Sequence, residues 1–227
     1  MEQRWLVMHQ SNLKRVVSEV DDKTGEKVFR YEGRPRRLHP SLIALIGDII
    51  HNFRSALDHA AWSLVVSNGQ TPTDRTQFPL CDVPAKFKRY GRSQIKGMSP
   101  QAKAFIKSQQ PCYGDNHYRN DCLALLEKLD IVDKHRHLNV TIAATDGGFF
   151  NPGLPFRFSQ NFVYSGPIDE NAVLGRVPEG YHHVDFFPIY GIAFGQGSPG
   201  QDESVREYFS LADHIVEDII STCERFA

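Results

Sequence analysis

Between Leu42 and Val66 the chain reads LIALIGDIIHNFRSALDHAAWSLVV and places seven side chains able to do chemistry: Asp48, His51, Asn52, Arg54, Ser55, Asp58 and His59. Arg carries a permanent, planar charge that clamps a phosphate through two donors. His titrates near neutrality and serves as acid or base. Asp with His is also a metal-ligating combination. Three chemistries therefore stand open for this stretch: phosphate chemistry, metal binding, and an ion-pair network that holds helices in register with no reaction at all.

The same stretch has the clearest helical period in the chain. At about 100° per residue, Leu42, Ile46, Ile49, Ile50, Phe53, Leu57, Ala60 and Leu64 share one face. That arc is broad enough for a central core helix. His39-Pro40-Ser41 predicts its start and Asn68-Gly69 its stop. Opposite the apolar arc, Asp48, Asn52, Ser55 and His59 form one row, and His51, Arg54 and Asp58 the next. A solvated face normally carries Lys and Glu, and neither occurs from Leu42 to Val66. Asp, Asn and Ser compete with the helix for backbone hydrogen bonds. Their concentration here implies that the face meets something other than bulk water, and a homodimer is the expectation.

Arg54 and His59 form an Arg-x4-His pair. The spacing recurs at Arg4/His9, at Arg34/His39 and, with longer gaps, at Arg176 with His182 or His183; only Arg54/His59 lies on the polar face of the best helix. On that pair the chain resembles the HEPN superfamily of helical domains, many of them ribonucleases. In that family the residue after Arg is often Asn, Asp or His, where this chain has Ser55. The resemblance implies a metal-independent endoribonuclease of the toxin or antiviral kind, with two protomers joined at the motif and RNA as partner. It implies Arg54 on phosphate and His59 as acid/base, with His51, Asn52, Asp58, Lys134, His135 and Arg136 positioning the substrate or the pair. It implies no cofactor and no metal.

HNFRSALDH with the later LLEKLDIVDKHRHLN also resembles a family of uncharacterised bacterial proteins in which an HN-RSALDH helix and a DKHR element recur. That likeness implies that Asp133, Lys134, His135 and Arg136 join the site on the central helix. The plain reading of Lys134 to His137 is a set of cations offsetting a helix C-terminus. The plain reading of the central face is a non-enzymatic binding or scaffold protein with a buried network, Arg54 on Asp133 or Asp58 and His59 on Asp48. A metal-dependent hydrolase would use Asp48, His51, Asp58, His59 and His135. Against it, HExxH and the paired Glu-x-x-His of di-iron bundles are missing, and His51 and His59 stand about 80° apart around a helix. His182 and His183, in a β region, would point to opposite faces.

The rest of the chain must position these groups. Its 227 residues, 41% hydrophobic and 23% charged with a net charge of -1, describe an ordinary globular protein without a general pull toward nucleic acid. Cys81, Cys112, Cys122 and Cys223 form no CxxC pair, which excludes zinc-ribbon and thioredoxin patterns and fits reduced cytoplasmic thiols. The N-terminus lacks a signal-peptide core and no apolar run reaches membrane-spanning length. Phosphate-binding glycine motifs and the GxSxG elbow are absent, and Gly195 to Gly200 reads as a loop.

The period predicts an α+β fold in one domain over 1–227. Residues 1–137 are mainly helical, 138–198 insert a small antiparallel sheet, and a helix in 199–227 returns to the helical core. A helix is predicted over 2–19, a hairpin around Gly25, and a solvated linker at Arg34 to Arg37. A long connection over 68–96 is anchored by Phe78-Pro79-Leu80. Helices follow from Ser99 to Ser108 and from Asn116 to Val132, with Cys122, Leu125, Leu126 and Leu129 inside. Strands are predicted over 138–144, 156–158, 162–164, 172–177 and 184–194. The last helix, Glu203 to Phe226, puts Val205, Phe209, Leu211, Ile215, Ile219 and Ile220 on its apolar side, with Asp213 and His214 toward solvent.

Overall fold

Asp21 starts the first hairpin. Its backbone carbonyl accepts from Gly25 at 2.8 Å and its carboxylate from the Lys23 amide at 2.9 Å. Gly25, at φ +70, takes the left-handed turn that a Cβ disfavours. Strand β1 (Val16–Val20) thus runs back antiparallel along β2 (Lys27–Tyr31). The computed structural model describes residues 16–33, 38–135, 138–150, 166–180 and 183–226. Val16 to Glu19 are therefore strand, where a helix over 2–19 is predicted; the remainder of that helix lies outside the described residues. β-branched Val16 and Val17 fit the pleat and pair with Tyr31 and Arg30. The linker at 34–37 and the strands at 156–158 and 162–164 also lie outside.

The fold is α+β, with a small antiparallel sheet, and clusters into two compact units. The first unit draws on 1–37 and 141–193. In it β2 is the middle strand, flanked by β1 and antiparallel β5 (Val173–Val177), and Val28, Phe29 and Tyr31 are buried. β3 (Val140–Phe150), which begins at the unit's edge, lies between β4 (Gly166–Pro167) and β6 (Phe186–Phe194). His183 sits in the turn before β6 rather than in a strand, because the strand begins three residues later.

The second unit, 38–140 and 194–227, holds the helices. α1 (Pro40–Ser67) is 28 residues long. The His39 ring accepts from the Ser41 amide, Pro40 fills the first turn, and Asn68 ends the helix. Ile46, Ile50, Leu57, Ala60, Ala61, Leu64 and Val65 are its buried side. α1 packs on α5 (His117–His135) and α6 (Val205–Cys223), which also touch each other. The connection after α1 carries short helical pieces, α2 (Pro84–Lys86), a π-turn over Phe87–Gly91 and α3 (Arg92–Gln94), before α4 (Pro100–Ser108), capped by Ser99. On α6 the buried residues are Val205, Tyr208, Ala212, Ile215, Val216, Ile219 and Cys223. Leu211 is 40% exposed and not part of that stripe, since the helix rotates Tyr208 and Ala212 inward instead. No described helix is long and apolar enough to cross a membrane.

Candidate functional site

α1 and α5 run antiparallel, and three successive contacts read down their seam. Asp133 lies against Gly47, His51 faces Asp130 and Arg54 faces Glu127. Each step moves one helical turn up α1 and one turn back along α5, as antiparallel helix packing requires.

Arg54 is 7% exposed. Its Nη2 donates to the Phe78 carbonyl at 2.7 Å, Nη1 lies 2.8 Å from Asp58 Oδ1, and Nε lies 3.3 Å from Glu127 Oε2. The Asp58 contact is close but off the hydrogen-bond line, so it acts as an ion pair and leaves Nη1 without a formal hydrogen bond. The same Asp58 Oδ1 accepts from the Phe78 amide at 2.8 Å. Arg54 and Asp58 thereby take the carbonyl and the amide of a single residue. They hold the Phe78-Pro79-Leu80 segment against α1, with the Phe78 side chain wholly buried.

The segment is fastened at its other end too. Buried Gln110, just past α4, accepts from the Cys81 amide at 3.1 Å and donates to the Ile106 carbonyl, and the Cys112 amide donates to the Cys81 carbonyl. Sequence reading singles out neither Gln110 nor Glu127. The signal available for Gln110 is a polar residue directly after an amphipathic helix and before Pro111.

One turn from Arg54, His51 Nδ1 lies 3.3 Å from Asp130 Oδ1, and Lys134 Nζ lies 2.6 Å from Asp130 Oδ2. The Asp130 side chain is 5% exposed while those of His51 and Lys134 are about half exposed. A buried carboxylate thus carries one ammonium and one imidazole that open to solvent. Burial pushes the Glu127 carboxyl above its usual range; Arg54 pulls it down and Asp130 pushes it further up.

The two residues of the Arg-x4-His pair do not meet within the chain. Five residues turn the helix by about 140° net, which puts Arg54 in the α5 seam and His59 in the open. His59 lines a cleft of about 330 Å³ between α1 and the end of α6, with Ala56, Ser63, Leu64, Ile220 and Glu224. Asp48 and Asn52 are exposed and Ser55 is half-buried. Of the positioning residues, His51, Asp58 and Lys134 join the seam and Asn52 does not. His135 ends α5, and Arg136 lies outside the described residues. Arg54 pairs with Asp58, as the network reading has it, while Asp133 instead covers Gly47. Asp213 and His214 are exposed. No group of three or more His, Cys, Asp or Glu among the described residues is arranged to hold a metal.

Comparison of the chain with protein-family models, with curated proteins and with solved structures finds no match.

Proposed function

We propose that this chain is a non-enzymatic binding or scaffold protein, acting as a homodimer, in which the polar residues of α1 that face α5 serve the fold. The observation that carries the reading is the state of Arg54: Nη2 donates to the Phe78 carbonyl and the rest of the guanidinium is ion-paired with Asp58 and Glu127 of the same chain, in a site almost closed to water. A phosphate arriving there would have to displace Asp58, Glu127 and the Phe78 carbonyl together. An RNA-cleavage assay of wild type, Arg54→Ala and His59→Ala, with and without EDTA, tests it. The reading predicts no cutting by any of the three. EDTA-resistant cutting with cyclic-phosphate ends, lost in both variants, would overturn it.

A second reading, the HEPN-like metal-independent ribonuclease, has one observation on its side. His59 stands exposed at the rim of an open cleft beside Ser63 and Glu224, where a substrate or a partner chain has access. In that reading His59 is the acid/base and the cation on phosphate comes from elsewhere than its own Arg54. Cutting that His59→Ala abolishes and Arg54→Ala merely weakens, through lost stability, would select it.

A further inference from the structure

Of the 26 Lys and Arg in the chain, seven lie between Val83 and Gly114, and none of its 27 Asp and Glu does. The remainder, 19 cations against 27 carboxylates, is acidic. A solvated helical face normally mixes the two signs, because opposite charges four residues apart support a helix and like charges oppose it. Here Lys88, Arg92 and Lys96 stand four apart with no carboxylate between them. Pro84–Lys86, the π-turn Phe87–Gly91 and Arg92–Gln94 form one continuous helical run. Phe87, Gly91 and Ile95, also four apart, are its buried side, and the Phe87 ring packs edge to face with Tyr113. Lys86, Lys88, Arg89 and Arg92 are exposed on the run, and Lys96 just beyond it. Lys86 pairs with Asp82 at 2.7 Å. Among the described residues no carboxylate pairs with Lys88, Arg89, Arg92 or Lys96.

The run also opens with an apolar tip. Val83, Pro84 and Ala85 are exposed, Val83 at 44%, and Tyr90 is exposed at 50%. Cations alone keep a surface soluble. Cations around exposed apolar side chains are the composition of a surface that meets the boundary between water and lipid. There Val and the Tyr ring enter the headgroup layer while the Tyr hydroxyl stays wet. Lys and Arg lay their stems along the apolar layer and keep their charges on the phosphates. A cluster of about four to eight such cations selects anionic headgroups. A single-stranded nucleic acid offers the same phosphates, but its bases need rings with free faces. Tyr90 is the one exposed ring between Val83 and Gly114, and the Arg89 guanidinium lies over it, 4.9 Å from the ring centre.

We infer that the run from Val83 to Lys96 docks on an anionic lipid surface, lying on it and not spanning it. The inference goes beyond the α1–α5 seam and is independent of what Arg54 and His59 do. Flotation of the full chain with vesicles tests it. Wild type should float with phosphatidylcholine vesicles containing about one-third phosphatidylserine, and not with pure phosphatidylcholine. About 1 M NaCl, with a screening length of about 3 Å, should release it. Each cation is worth about fivefold at such a surface, so Lys88→Gln/Arg89→Gln/Arg92→Gln should weaken binding about a hundredfold. Lys23→Gln/Arg206→Gln/Arg225→Gln makes the same change in net charge at exposed positions elsewhere and should bind within about threefold of wild type. Tyr90→Ser keeps every charge and should weaken binding about fivefold. Wild type that does not float, equal loss in the two triple variants, or Tyr90→Ser that binds like wild type overturns the inference. So does binding of single-stranded DNA or polyglutamate as tight as that of the vesicles, which would assign the cations to another polyanion.

Discussion

Asp58 and Arg54, one turn apart on α1, grip opposite sides of one peptide group pair: Asp58 accepts the Phe78 amide at 2.8 Å and Arg54 donates to the Phe78 carbonyl at 2.7 Å. The RSALD part of the motif is thus a clamp on a passing chain segment. If so, the clamp governs local opening of that segment. In Asp58→Ala the Phe78 amide loses its acceptor, and its hydrogen-exchange protection should fall at least tenfold more than that of the α5 core amides of Leu126 and Leu129. Equal loss across both would mean that Asp58 supports the whole bundle and not the segment.

The seam has a pH signature. Burial raises the Glu127 carboxyl in the folded chain while Arg54 lowers it. A raised carboxyl contributes stability below its unfolded value, and that contribution is lost as pH rises through the raised folded value. Arg54→Gln removes the opposing cation, so Glu127 rises further and its ionisation at neutral pH becomes more unfavourable. The melting-temperature gap between wild type and Arg54→Gln should therefore narrow from pH 7.5 to pH 5. A gap that widens on acidification would show that the carboxylates around Arg54 do not depend on it.

Gly47 is where α1 yields to α5. A Cβ there would collide with the Asp133 carboxylate, which is itself engaged by neighbours. Gly to Ala inside a helix normally stabilises by about 1 kcal/mol. Here the displacement of Asp133 should outweigh that gain, and Gly47→Ala should destabilise by about 1 kcal/mol net in a urea titration. A stabilised variant would mean that Asp133 moves aside freely and that the seam is loose at this end.

The cysteines should separate by burial. Cys81, Cys122 and Cys223 are buried, with thiols pushed up to about 11, about 12 and about 11, chiefly by burial. Cys112 is half-buried. Iodoacetamide on the native chain should label Cys112 first, and the others only as the protein unfolds. Early labelling of Cys122 by mass spectrometry would contradict the packing of α5 on α6.

Helix boundaries were legible because their signals are local. His39-Pro40 before α1, Ser99-Pro100 before α4 and Asn68-Gly69 after α1 act through their own backbone conformations. The Gly25 turn is of the same kind. The partners of the polar face were not legible. Glu127 and Asp130 flank the Leu126 and Leu129 core positions of α5, and only the register of α5 on α1 decides which Arg or His they meet. The Phe78 partner is a backbone group, which no side-chain pattern encodes. Val16 and Val17 fit a helical stripe as well as a strand, and pairing with β2 decides between them. Spacing alone joined Arg54 to His59; rotation about the helix separates them.

Arg54 holds the fold and His59 does not. Thermal unfolding of Arg54→Ala beside His59→Ala tests it directly. Removing Arg54 leaves Asp58 and Glu127, each about one-third exposed, without their cation, at a cost of about 3 kcal/mol, the low end for a buried pair. For a protein of this size that is a fall of about 6–12 °C. His59→Ala, at an exposed position, should stay within about 2 °C of wild type. Arg54→Ala melting like wild type would mean that Arg54 does not hold the fold and would return it to the candidates for a reaction.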